Sequence, residues 1–204
     1  MTFTFANYGF SAGKAPSEEE LRLLSWQLGR SVRGVLAIKL CPHGFPQVML
    51  NRPLLSVLEQ GEGDLEPMPT IFWLTCPFLV EEVAKLESAG GVKRYERLLE
   101  TDKELAQEYF SAHRSYREMR LSLLSLGELE YAKEKGLRSI LESGIAGIMN
   151  PQRVKCLHAH LAHFLASGQN PIGRLVAQEL PALSCPERRC AQKFCSQSSA
   201  NNPR

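Results

Sequence analysis

The spacing of apolar residues changes at Pro77, and that change restricts the fold more than any single motif. From Gly34 to Thr75 the apolar runs are short and alternating. Leu36, Ile38 and Leu40 in Gly34 to Leu40 predict one side of a strand, Gln47 to Leu50 predicts a second short strand, and Thr70 to Thr75 (TIFWLT) predicts a third. The turn Cys41-Pro42-His43-Gly44-Phe45-Pro46 joins the first two as a hairpin with Cys41 and His43 at its tip. After Pro77 the period becomes 3.6. Leu79, Val83 and Leu86 mark a helix that Gly90-Gly91 ends, and the rest of the chain reads helical. The expectation is an α+β fold, a small mostly antiparallel sheet of three strands covered by about five to six helices.

Several helix ends are readable. Ser17-Glu18-Glu19-Glu20 is a capping box that opens a helix with Leu21, Leu24 and Leu28 on one face and Gly29 as its stop. Thr101-Asp102-Lys103-Glu104 reads as a second capping box, before a helix whose Leu105, Tyr109, Ala112 and Tyr116 share a face. A helical segment runs from Glu128 to Leu141, and Ser143 to Gly147 is a pliable loop. Asn150-Pro151 then predicts the start of a last long helix, Pro151 to Ser167, ended by Gly168. These signals divide the chain into an N-terminal arm over residues 1–16, a single α+β domain over 17–181, and a flexible tail over 182–204 that carries Cys185, Cys190 and Cys195.

Composition narrows the function classes. With 204 residues, 44% of them hydrophobic and 23% charged, the chain has globular proportions, and a net charge of +2 supplies no electrostatic footprint for nucleic acid or an acidic membrane. The longest apolar stretch, Thr70 to Val80, falls short of the roughly 20 residues that span a bilayer and stops at Glu81-Glu82. The first residues lack the basic start and apolar run of a signal peptide, so a cytoplasmic location is expected, where six cysteines are thiols or metal ligands rather than disulfides. No glycine-rich phosphate loop, nucleotide fingerprint, nucleophile elbow or HExxH motif occurs.

The outstanding local feature is Cys156-Leu157-His158-Ala159-His160-Leu161-Ala162-His163, one cysteine and three of the five histidines within eight positions. In a continuous helix Cys156, His160 and His163 share one stripe, with Leu157, Leu161 and Leu165 opposite and His158 beside the latter. Two or three nitrogen and sulfur donors on one face suit a tetrahedral soft-metal site, which other segments must complete. Cys41 and Cys76 are the obvious further donors. Pro77 makes Cys76 a helix N-cap, where the positive end of the helix favours a thiolate. His113 reads as a surface histidine, with a supporting or general-base role beside the site as the alternative. The tail spacing C-x4-C-x4-C matches no common zinc or iron–sulfur signature and predicts solvent-exposed thiols, with a labile second metal site as the alternative.

Gln27-Leu28-Gly29-Arg30, Cys41-Pro42-x-Gly-x-Pro46, Trp73 to Pro77, Gly90-Gly91-Val92, Val154 to His158 with Ala162-His163, and Asn170-Pro171-Ile172-Gly173 occur in an order that resembles one uncharacterised bacterial family, domain of unknown function five hundred and one. The resemblance covers about Gln27 to Gly173 and carries no established activity, ligand or partner. It does imply that Cys41, Cys76, Cys156, His158 and His163 are the motif positions, whereas the helix face prefers His160 to His158. In a straight helix the two cannot face one metal.

The residues support three readings. In the first, Cys41, Cys76 and Cys156 with His163 or His158 gather around one metal, zinc by donor softness, with iron or haem (Cys-Pro occurs at Cys41, Cys76 and Cys185) as weaker alternatives, and with His160 and His113 in supporting positions. In the second, a metal-free enzyme uses Cys76 as nucleophile and His158 or His163 as base. In the third, the cysteines are packed structurally and the chain is an interaction module for a protein partner.

Overall fold

Ile38, Met49 and Trp73 stand side by side across three strands and form a row that one helix covers. A computed structural model of the chain describes residues 15–57 and 64–192. The row belongs to an antiparallel sheet of order β1-β2-β5, with β1 Val35–Leu40, β2 Pro46–Asn51 and β5 Phe72–Leu74. Its cover is α1 (Glu18–Leu28), opened by the Ser17–Glu20 capping box and closed by Gly29 in the left-handed conformation, with Leu24 fully buried against the row. The alternate residues Ala37, Val48, Leu50, Phe72 and Leu74 face the other way, into the main core. The central strand β2 is buried along its whole length.

The alternation expected along β1 holds only in its middle. Leu36 packs with the main core and Leu40 is 45% exposed, so neither shares a side with Ile38. Register shifts at Val35/Ala37 and Lys39/Leu40 account for this, because each irregularity reverses the face of the residues beyond it. A second sheet pairs β3 (Leu54–Ser56) with β4 (Leu65–Pro67), strands that the sequence reading does not predict, β4 because it lies in a run rich in turn formers from Gly61 to Pro69.

The remaining helices are α2 (Pro77–Ser88), α3 (Gly91–Thr101), α4 (Lys103–Ser122), α5 (Leu126–Glu134), α6 (Arg138–Leu141), α7 (Leu157–Ser167) and α8 (Pro171–Glu179), more and shorter pieces than the sequence predicts. Asp102 alone caps α4, its side chain accepting from Leu105 N; Thr101 is instead the last residue of α3 and its hydroxyl bonds back to Leu98 O. The predicted Glu128 to Leu141 helix divides in two, and its first half opens on a capping box formed by Ser125 and Glu128. The predicted face of α4 is correct: Leu105, Tyr109, Ala112 and Tyr116 are all buried. Behind it, the fully buried Arg120 donates from Nε to Ile140 O at 2.8 Å and from its two terminal nitrogens to Pro69 O and Ser143 O, tying α6 and two loops to one helix.

Helix α7 runs through the middle. Leu157, Ala159, His160, Leu161, Ala162, His163 and Ala166 are all buried, so it is enclosed on most sides by β5, α2 and α8. Gly173 lets α8 lie close against α7, since a β-carbon there would enter the His160 carbonyl and the Phe164 side chain.

Candidate functional site

The helix expected from Pro151 begins six residues later, at Leu157, and Cys156 is its N-cap rather than part of its body. Local bonds compete successfully with an early start. Asn150 Oδ1 accepts from Gln152 N at 3.0 Å and closes a turn, while Val154 N donates to Glu96 Oε1 at 3.0 Å as its side chain enters the core. The first free N–H of the helix, on Leu157, donates to Glu87 Oε1 at 2.6 Å. A carboxylate from the last turn of α2 thus does what a capping side chain would do. Cys156 therefore leaves the stripe it was expected to share with His160 and His163.

Its new neighbour is His158. Cys156 Sγ lies 3.7 Å from His158 Nδ1, and the same nitrogen lies 3.3 Å from Glu87 Oε1. His158 Nε2 is 3.0 Å from Val80 O, a bond in which only the ring N–H can be the donor. That fixes a proton on Nε2 in either charge state and leaves Nδ1, with a lone pair when the ring is neutral and a proton when it is charged, facing a thiol and a carboxylate. Burial works against charge at both residues, but mutual contact outweighs it. The His158 ring and the Ala159 N–H hold the Cys156 thiol below its ordinary value, and Cys156, the Val80 carbonyl and Glu87 raise His158 to about 9. Cys156 is exposed and the other two are half-buried. Among the described residues, Glu87, Cys156 and His158 form the one group whose ligand atoms all lie within 4.8 Å of one another.

The other proposed ligands are distributed differently. His160 and His163 are fully buried, and the Asn170 amide serves both, its Nδ2 3.1 Å from His160 Nδ1 and 3.2 Å from His163 Nδ1. The Tyr109 hydroxyl meets His160 Nε2 at 3.2 Å, and His163 stacks on Phe72 with 5.6 Å between centroids. His113 is not a surface residue: it is 6% exposed, its Nδ1 accepts from Ile145 N at 3.0 Å, and its ring crosses Tyr109 at 4.4 Å. Burial holds His113 down to about 4 and His163 down to about 3, so all three rings of this group, with His160 well below its ordinary value, are neutral parts of the core.

Cys76 is the N-cap of α2 with Pro77 in the first turn, as the sequence predicts, but it is 3% exposed and burial pushes its thiol up. An activated nucleophile needs the opposite shift. Cys76 and Glu87 sit at opposite ends of α2, about 16 Å apart at 1.5 Å per residue, so Cys76 and Cys156 belong to different places. Cys41 lies at the sheet end with Cys76, both buried. Cys185 and Cys190 are each 5% exposed, not solvent-exposed tail thiols, and Cys195 lies outside the described residues. The expected gathering of Cys41, Cys76, Cys156 and His163 about one ion is therefore replaced by separate groups. Glu87 carries no local mark in the sequence, because nothing near it identifies a helix-terminal glutamate as the partner of a residue 70 positions away.

Among the described residues, no helix is long and apolar enough to cross a membrane. No curated protein and no solved structure matches the chain. A family model does match, over residues 37–178, a span that holds both sheet and helices and takes in Glu87, Cys156 and His158. The chain belongs to the family described as Protein of unknown function (DUF501).

Proposed function

We propose that Glu87, Cys156 and His158 form a zinc-binding centre with three protein ligands and a fourth position open to solvent. The observation that carries this reading is the pair of separations around His158 Nδ1, 3.7 Å to sulfur and 3.3 Å to oxygen. Tetrahedral zinc with bonds of about 2.0 to 2.3 Å sets such ligand atoms about 3.3 to 3.6 Å apart. The bond from His158 Nε2 to Val80 O supports it, since a ligating imidazole characteristically donates its other N–H to a carbonyl or carboxylate that fixes the ring. An open fourth position belongs to the catalytic type of zinc site, where the ion holds and activates a water. The chemistry such a centre supports is metal-assisted hydrolysis.

A second reading rests on the exposure of Cys156 beside His158: a metal-free thiol centre, with Cys156 rather than Cys76 as the nucleophile. One experiment separates the two. Full-length protein purified anaerobically without chelator is analysed for zinc and treated with iodoacetamide, with Cys156 followed by peptide mass. The zinc reading expects Cys156 to be protected until a chelator strips the ion, and expects Cys156→Ser and His158→Ala each to lose one zinc per chain. Rapid alkylation of Cys156 that a chelator leaves unchanged, with equal zinc in wild type and both variants, overturns it in favour of the thiol centre.

A further inference from the structure

Four buried cysteines collect at one end of the three-stranded sheet from three stretches of chain. Cys41 follows directly on β1 and its N–H donates to Phe45 O at 2.8 Å across the turn. Cys76 follows β5 by one residue: Thr75 N donates to Gln47 O at 2.9 Å, which carries the ladder one step past Leu74 and sets Cys76 beside the start of β2. The chain beyond α8 then crosses this same end. Gln47 Nε2 donates to Leu183 O at 2.7 Å, His43 Nε2 lies 3.0 Å from Cys185 O, and Gln27 Nε2 reaches both Pro46 O at 3.0 Å and Cys190 Sγ at 3.4 Å. Arg189 sets its guanidinium 5.6 Å from the centre of the Phe78 ring and pairs with Glu81 at 2.6 Å, both in the opening turns of the helix that Cys76 caps.

Hydrogens near two of these thiols are turned toward sulfur. Arg189 N donates to Cys185 Sγ at 3.4 Å, and Gln27 Nε2 does the same for Cys190. A metal-bound thiolate characteristically accepts such N–H bonds.

The geometry points to a second, closed metal site in which Cys41, Cys76, Cys185 and Cys190 hold one zinc ion as four thiolates and clamp the C-terminal segment across the end of the sheet. Four protein ligands leave no open position, so the site is structural, and an all-sulfur shell selects a soft ion. Sulfurs on zinc stand about 3.8 Å apart for bonds of about 2.3 Å. No three of the four sulfurs lie within 4.8 Å of one another, since among the described residues only the Glu87 group does so. Loading therefore pulls Cys185 and Cys190 inward. Their segment is attached by side-chain bonds, the Arg189 contacts with Phe78 and Glu81, and the packing of Cys185 and Ala182 on the core, whereas the sheet itself holds Cys41 and Cys76.

The test uses the full chain, purified anaerobically, with zinc content measured for wild type, Cys190→Ser, Cys185→Ser and Cys156→Ser, and with cobalt(II) exchanged for zinc. The expected result is that Cys190→Ser and Cys185→Ser each lose one zinc per chain that Cys156→Ser retains, and that the cobalt form of Cys156→Ser shows the intense sulfur-to-metal absorption of a four-thiolate shell. Where a variant does not fold, the wild type decides: Cys185 and Cys190 should resist a thiol reagent until a chelator is added, then react along with Cys41 and Cys76. Zinc content unchanged in the folded Cys185→Ser or Cys190→Ser chain, or labelling of these four thiols indifferent to the chelator, overturns the site. Because the Glu87–Cys156–His158 centre is read from Cys156→Ser, each site can fail without the other.

Discussion

The side-chain amide of Asn170 lies 3.2 Å from His163 Nδ1 and so holds that buried imidazole as its Nε2–H tautomer. The same amide nitrogen serves His160 Nδ1, and Asn170 Oδ1 caps α8 by accepting from Gly173 N at 2.9 Å. One side chain therefore joins the central helix to the next. Asn170→Ala removes a cap and leaves two buried ring nitrogens without a donor, and should lower unfolding stability by about 3 kcal/mol. Asn170→Asp keeps the cap but offers the rings no hydrogen. If urea denaturation finds the Asp variant as stable as wild type at pH 7.5, the amide is not what orients the rings.

Acid should weaken the fold before its carboxylates protonate. Burial holds the folded His113 near 4 and His163 near 3, against about 6.5 in an unfolded chain. Below pH 6.5 the unfolded chain takes up protons that the native chain refuses. The contribution of these two rings is thus complete above pH 6.5 and falls as pH drops toward 4, by up to about 1.4 kcal/mol per pH unit for each ring, whereas that of His158, raised to about 9, has the opposite sign and changes above pH 6.5. Urea midpoints measured from pH 7.5 down to 4.5 check this, and a flat profile would mean that the rings are charged in the native state.

Arg120 is fully buried and is met by the backbone carbonyls of Ile140, Pro69 and Ser143. Burial lowers its guanidinium to about 10, so it keeps its charge at neutral pH. Arg120→Met fills much of the same volume but strands three carbonyls, and a loss of about 3 kcal/mol in urea unfolding is expected. Arg120→Lys should recover only part of it, since an ammonium cannot span the fork. Equal stability of the Met variant would show that water or loop movement satisfies the carbonyls.

Glu87 combines a structural bond with a proposed ligand role, and the two separate by substitution. Glu87→Gln can still accept from Leu157 N, so stability should change by less than about 1 kcal/mol, while zinc affinity in a competitive titration falls about 10-fold or more. Glu87→Ala should lose both. Affinity unchanged in the Gln variant would remove Glu87 from the ligand set.

Much of the fold is legible because it depends on neighbours in sequence. The hairpin tip at Cys41 to Pro46, the Ser17–Glu20 box, the buried face of α4 and the Pro77 start of α2 each arise from periodicity or from a cap within four residues. Legibility fails where a distant group competes. Asn150-Pro151 has the chemistry of a helix start, yet Glu96 and Glu87 draw Val154 N and Leu157 N into other bonds, and the helix begins at Leu157. Asn170-Pro171 has the same chemistry without such competitors, and there the helix does begin.

The sequence alone determined which residue types this protein can use for chemistry, thiols and imidazoles in short reach of helix starts, and the α+β order of its elements. It could not say which of them meet. Cys156 finds His158 because the helix starts late, Glu87 joins them from the far end of α2, and Cys185 and Cys190 return to Cys41 and Cys76 because the last segment folds back over the sheet. Periodicity reports which face of an element is apolar. The meeting of groups tens of residues apart depends on helix lengths, crossing positions and bulges summed over the whole chain, and only the packed structure holds that sum.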